Sequence, residues 1–174
     1  MTPVLKTHSL TKTYRSPIAQ RKVKAVDDLS FEVYEGEIFG FLGPNGAGKT
    51  TTTKILAGLL TPTSGEAYIF GRPLEETSVK QRIGFLPEQP YFYPYLTGAE
   101  LLDFSAQLFG IRRRERDKRT DQLLATVGLE NAARMRISSY SRGMLQRIGL
   151  AQALVNDPEL LILDEPLGGL DPVG

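Results

Sequence analysis

One eight-residue segment constrains this chain more than any other: Gly43-Pro44-Asn45-Gly46-Ala47-Gly48-Lys49-Thr50 fits G-x-x-x-x-G-K-[ST]. The glycines let successive backbone N–H groups turn inward on an anion without Cβ clashes. Lys49 places a point charge where β- and γ-phosphates would sit, and the Thr50 hydroxyl can ligate Mg²⁺, with Thr51 next in line. The flanks agree with that reading. Glu37-Ile38-Phe39-Gly40-Phe41-Leu42 predicts a short buried strand, and residues 50–60 predict a helix whose N-terminus faces the phosphates. The pattern implies a nucleoside-triphosphate site.

Bulk composition narrows the remaining options. At 174 residues the chain can bury a real core, with one domain and subdomains as the natural expectation. Twenty-one basic against twenty acidic side chains give no global pull toward nucleic acid or an anionic membrane. There is no cysteine, hence no disulfide framework and no thiol-ligated metal. Met1-Thr2-Pro3-Val4-Leu5-Lys6 lacks the form of a signal peptide, and no apolar run approaches the roughly 20 residues that span a bilayer. The expectation is a cytoplasmic protein whose membrane contact goes through a partner.

Turn signals and periodicity divide the rest. Residues 4–12, 24–26 and 29–33 read as strands, followed by a turn at Glu35-Gly36. The cluster Thr61-Pro62-Thr63-Ser64-Gly65 leads into a strand at residues 67–70, closed by Gly71-Arg72-Pro73. These pieces predict an antiparallel sheet around the P-loop unit. Residues 83–86 read as a strand ended by Pro87, and residues 97–155 as mostly helical. Thr97 and Glu100 form a capping box, Leu101, Phe104 and Leu108 carry an apolar face, and Gly110 stops that helix. A second helix over residues 113–127 stops at Gly128. It carries Arg112-Arg113-Arg114-Glu115-Arg116-Asp117-Lys118-Arg119, read as a solvated face with Glu115 placed for an ion pair to Arg119.

Leu160-Leu161-Ile162-Leu163-Asp164-Glu165 has the form of a Walker B element. A buried strand would deliver Asp164 to hold Mg²⁺ and Glu165 to polarise an attacking water. Upstream lies Ser139-Tyr140-Ser141-Arg142-Gly143-Met144-Leu145-Gln146-Arg147. Ser141 can cap a helix running through Leu145, Ile148, Ala151 and Val155, whose first N–H groups with the Gly143 backbone present an anion site. Together these motifs resemble the nucleotide-binding domain of ABC (ATP-binding cassette) transporters. Tyr140-Ser141-Arg142-Gly143-Met144 is similar to a variant, exporter-like form of that family's Leu-Ser-Gly-Gly-Gln signature.

The resemblance implies further roles residue by residue. Pro166-Leu167-Gly168-Gly169-Leu170-Asp171-Pro172 is similar to the D-loop, with Asp171 as its acidic residue. Tyr14 sits where the family stacks an aromatic on adenine. Phe85-Leu86-Pro87-Glu88-Gln89-Pro90 resembles the Q-loop, with Glu88 and Gln89 both candidates for its metal- and water-orienting residue. The aromatic stretch Tyr91-Phe92-Tyr93-Pro94-Tyr95-Leu96 suits either a partner-docking surface or local packing.

The fold implied is α/β, a P-loop NTPase core with a RecA-like parallel sheet, an N-terminal antiparallel β subdomain and an inserted helical subdomain. The β subdomain would take residues 1–37 and 61–73, the core residues 38–60, 74–90 and 151–174, and the helical subdomain residues 91–150. The function implied is the ATP-binding subunit of a transporter, with ATP and Mg²⁺ between two cassettes. A membrane-spanning permease would be the partner, and no nucleic acid is expected. Location would be cytoplasmic, peripheral on the inner face of the cell membrane. The family carries a histidine after the D-loop and further strands and helices, whereas the single histidine here is His8, so the resemblance predicts a cassette incomplete at its C-terminal end. A soluble non-transport ABC-type ATPase and a non-hydrolysing ATP-binding module remain as other readings.

Overall fold

β-Branched and aromatic residues recur through the beginning of the chain, and in a computed structural model describing residues 2–15 and 22–166 this part forms an antiparallel sheet. The strands are β1 (Leu5–Arg15), β2 (Lys22–Val33), β3 (Ser64–Ile69) and the short β4 (Arg72–Pro73), in the order β2-β1-β3-β4. They belong to the first of two compact units, Met1–Lys80 and Gln81–Gly174. Leu5, Leu10, Val26, Ala67 and Ile69 supply its buried apolar side chains. The two short strands expected at residues 24–26 and 29–33 are one strand. Asp28 takes a left-handed φ of 49° and its N–H donates to Thr11 Oγ1 at 3.0 Å, so a bulge absorbs the polar pair that reads as a break.

Residues 37–42 differ from expectation. They form no strand, and Ile38 and Leu42 are 100% and 97% exposed. Phe39 and Phe41 instead close a ring cluster with Phe31, at centroid distances of 5.1–5.3 Å. An apolar run shows that a strand would be stable if paired, but carries no information about which neighbour pairs with it. In this unit β1 is occupied on both edges, and aromatic stacking takes one face of the segment. After it come α1 (Lys49–Leu56), closed by Gly58 at φ 70°, and the four-residue α2 (Thr77–Lys80).

The second unit pairs β5 (Ile83–Leu86) with β6 (Leu160–Leu163) in parallel, from Ile83↔Leu160 to Leu86↔Leu163. Gly84 has no side chain because α5 passes close by: a Cβ there would overlap the Ala153 carbonyl oxygen. Three helices follow, α3 (Gly98–Leu108), α4 (Arg113–Thr126) and α5 (Arg142–Ala153), with 3₁₀ turns at Glu130–Ala132 and Ile137–Ser139. Leu101, Leu102, Ala106, Leu124, Ile148, Ala151 and Val155 share one core. Each large member contributes about 1.5–3 kcal/mol by burial. The capping box forms as its spacing predicts. Thr97 Oγ1 accepts from the Glu100 N–H at 3.2 Å, and Glu100 accepts from the Thr97 N–H at 2.8 Å, which holds its carboxyl below the ordinary range.

Two local expectations are corrected. Arg119 turns to Asp157 at 3.2 Å and to the Leu154 carbonyl rather than to Glu115, while Arg116 bonds Asp103 at 2.7 Å. The half-buried arginines therefore tie α4 to its neighbours, and Arg112, Arg113, Arg114 and Lys118 stay exposed. β6 is less enclosed than an all-apolar strand suggests, for Ile162 alone is fully buried and Leu161 is exposed. The fold class is mixed α/β, with an antiparallel and a parallel sheet.

Candidate functional site

In the first unit the P-loop ends on Gly48, which occupies the left-handed region at φ 89° and is the N-cap of α1. No side chain caps that helix. The first turn of an α-helix in general offers N–H groups that the helix itself does not use, and the helix dipole adds partial positive charge at the same end. Gly46 is left-handed too, at φ 84°, while the Ala47 N–H bonds the Pro44 carbonyl at 3.2 Å and closes the turn containing Asn45. Lys49 Nζ donates to the carbonyls of Gly43 at 2.8 Å and Pro44 at 3.1 Å, so the ammonium is held over the loop. Thr50 and Thr51 follow on the first turn of α1, and Thr53 Oγ1 bonds back to the Thr50 carbonyl at 3.1 Å.

Tyr14 lies on β1 opposite Val23 of β2, and the residue is 43% exposed. Lys12 Nζ stands 5.6 Å from the ring centroid, a cation–π contact on an aromatic available for stacking. Gly48 packs on β2 at Ala25, two residues from Val23. The same strand thus brings Tyr14 and the P-loop into one neighbourhood.

In the second unit the parallel register sets the acidic residues. Leu86 pairs with Leu163, so Glu88 and Gln89 leave the same C-terminal strand end as Asp164 and Glu165. Ligand sites of open parallel sheets lie at that end of the strands. The Asp164 N–H extends the ladder to the Leu86 carbonyl at 2.9 Å, and Asp164 is buried at 3% exposure. Glu165 is exposed with φ 51°, a left-handed conformation costing a residue with a Cβ about 1–3 kcal/mol. Glu88 and Gln89 are both exposed, so neither is favoured over the other by burial.

Residues 140–147 are built around α5. Ser141 Oγ accepts from the Met144 N–H at 3.3 Å, as expected of an N-cap, with Ser141 and Arg142 exposed and Gly143 and Met144 partly covered. Tyr140 anchors the segment. It is buried, its hydroxyl donates to the Ala132 carbonyl at 2.8 Å, and desolvation pushes its pKa above the ordinary tyrosine value. Arg147 Nη1 reaches the Val127 and Gly128 carbonyls at 3.3 and 3.2 Å, closing the end of α4. Gln146, which sequence reasoning passed over, is buried on α5 and donates to the Pro166 carbonyl at 3.0 Å. A polar side chain at a position that shares the buried face of α5 with Gly149 and Ala153 was the available signal.

Asp171 lies outside the described residues. Of the two residues expected to hold a cation, Asp164 in the second unit is a buried carboxylate, and Thr50 in the first unit stands on the first turn of α1. Mg²⁺ takes one or two carboxylates, waters and substrate phosphates rather than an all-protein cage. Tyr91, Tyr93 and Tyr95 are exposed, and Tyr93 meets Tyr95 and Phe104 at centroid distances of 5.8 and 5.9 Å. Among the described residues no helix is long and apolar enough to cross a membrane.

Comparison with known proteins places this geometry. The family model described as "ABC transporter" matches residues 26–168. An ABC transporter ATP-binding protein of Nostoc sp. is 49% identical over 98% of this chain and 52% of its own length. The bacitracin transport ATP-binding protein BcrA of Bacillus licheniformis is 45% identical, over 100% of this chain and 55% of its own length. The chain thus spans about half the length of these relatives. The ATP-binding cassette MJ0796, solved as a dimer in a post-hydrolysis state bound to ADP and Pi, is similar with a TM-score of 0.88 and 30% identity, covering 97% of this chain and 77% of that one.

Proposed function

The chain belongs to the ABC transporter family, and from that premise we propose that it is the ATP-binding part of a transporter subunit that hydrolyses ATP at a composite site between two cassettes. The observation that carries the reading is the start of α1, uncapped on Gly48 with the Lys49 ammonium held over the loop. Such an end binds phosphate through N–H groups, dipole and charge together. Residues 43–51 cradle the triphosphate, and Tyr14 stacks on the base. Residues 141–144 serve the nucleotide of the second cassette, and Asp171 is the acidic residue of the D-loop. The dimeric MJ0796 structure with ADP and Pi supports the two-cassette arrangement.

Asp164 and the Thr50 hydroxyl would hold Mg²⁺, which supplies charge neutralisation at the phosphates when bound. Glu165 accepts a proton from water as the water oxygen bonds to the γ-phosphorus. The bond from that phosphorus to the β–γ bridging oxygen breaks, giving ADP and inorganic phosphate. Glu88 or Gln89 orients that water or a metal ligand. Stabilisation of the transferring group is chiefly electrostatic. The exposed tyrosines at positions 91, 93 and 95 form the docking face for a membrane-spanning permease, placing the cassette at the cytoplasmic side of the membrane. The subdomains follow the partition already given: residues 1–37 and 61–73, residues 38–60, 74–90 and 151–174, and residues 91–150.

The test is Mg²⁺-dependent phosphate release from ATP by the full chain, with co-purification of a multi-span membrane protein. Steady release together with that partner is expected. Absence of nucleotide binding would overturn the reading, and nucleic acid in place of the membrane protein would overturn the transport role.

A further inference from the structure

The corner that carries Glu165 is held against its own backbone preferences. Glu165 sits at φ 51° and immediately precedes Pro166. A residue before proline is driven toward extended conformations, and a left-handed residue with a Cβ persists only where its surroundings over-determine it. Proline has no N–H, so the carbonyl is the backbone handle available at position 166. That carbonyl receives the Gln146 Nε2 donor at 3.0 Å. Gln146 is 5% exposed on a helix whose neighbouring buried positions are Ile148, Gly149 and Ala151, so an apolar side chain of the same length would serve packing equally well.

We propose that Gln146 is a positioning residue for hydrolysis: its amide fixes the Pro166 carbonyl and thereby the direction in which the Glu165 carboxylate leaves β6. This rests on the reading of Glu165 as the group that takes the proton from water. Gln146 lies one turn and a half beyond Ser141 on the same α5, so the helix that begins at the nucleotide-facing cap also holds the corner of the carboxylate. Misplacing a catalytic group by about 1 Å can cost about 100-fold in rate while leaving nucleotide binding intact.

The test is a four-member cycle of parent, Gln146→Met, Glu165→Gln and the double variant in the full chain. ATP affinity is read by calorimetry, kcat and KM by phosphate release, and folding by thermal melting. Methionine keeps the length and removes the donor. The expected result is a kcat lowered about 10- to 100-fold with ATP affinity within about twofold of the parent. The double variant should be no slower than Glu165→Gln alone, because both changes act through one carboxylate. Parental kcat in Gln146→Met, or losses that multiply in the double variant, would overturn the proposal. Parental turnover in Glu165→Gln would instead remove the reading beneath it, and that arm tells the two failures apart. If Gln146→Met does not fold, Gln146→Glu decides the matter. Its buried carboxyl donates to the carbonyl when protonated, so turnover relative to the parent should recover as pH falls from about 8 to about 6. A flat ratio would sink the idea.

Discussion

Gly48 lies against the carbonyl oxygen of Ala25 so closely that a Cβ on Gly48 would overlap it. The contact seats the P-loop on β2, two residues along from Val23, the cross-strand partner of Tyr14. A glycine that the G-x-x-x-x-G-K-[ST] pattern fixes is thus also required by the sheet.

Gly46 and Gly48 share the left-handed conformation, at φ 84° and 89°, but a Cβ on Gly46 would meet nothing within 4 Å. Gly46→Ala should therefore cost only the conformational term, about 1–2 kcal/mol. Gly48→Ala adds overlap with a backbone atom that cannot swing away, and should cost about 3 kcal/mol or more. Urea denaturation of both variants checks the order. Equal losses would show that the loop can leave β2 without consequence.

Lys49→Ala should weaken ATP binding by about 10- to 150-fold, the equivalent of about 1.5–3 kcal/mol for a hydrogen bond to a charged group. The ammonium is already directed over the loop by the Gly43 and Pro44 carbonyls, so binding exchanges those bonds for phosphate rather than ordering a free side chain. Calorimetry at fixed ionic strength measures the change. Unaltered affinity would contradict a phosphate-cradling role.

Much of the fold was legible because it is written in local rules. The Thr97–Glu100 box and the glycine stops at 110 and 128 fix helix ends from a few adjacent residues, and both stops are left-handed at φ 73° and 64°. Strands 83–86 and 160–163 follow from short apolar runs. What was not legible depends on partners distant in sequence. The segment 37–42 has the composition of a strand, yet Phe39 stacks on Phe31, Phe41 meets Phe31 edge-on, and its backbone joins no ladder. The nucleotide role proposed for residues 43–51 rests on spacing. The Gln146–Pro166 bond was not legible, because its partners stand 20 positions apart and nothing in the sequence between them indicates that a helix side chain will meet that carbonyl.

Tyr140 and Gly98 supply a last prediction, one that concerns the segment around Ser141. The Tyr140 hydroxyl bonds the Ala132 carbonyl at 2.8 Å, and it occupies the space in which a Cβ on Gly98 would stand. Tyr140→Phe should cost about 0.5–1.5 kcal/mol near neutral pH, the net worth of the lost hydrogen bond, since the Ala132 carbonyl keeps the Met135 N–H at 2.9 Å. Gly98→Ala should be destabilising in the parent and much less so in Tyr140→Phe, because the atom it meets is gone. The pH dependence carries a definite sign. Burial raises the folded pKa of Tyr140, so its stabilising effect is complete below the unfolded value near 10 and is lost as pH climbs through the higher folded value. The parent should therefore lose stability more steeply than Tyr140→Phe above about pH 10. Urea denaturation at pH 8 and about pH 10.5 measures both effects. Parallel alkaline losses, or additive costs of Gly98→Ala and Tyr140→Phe, would show that the hydroxyl is not the atom that fixes this corner.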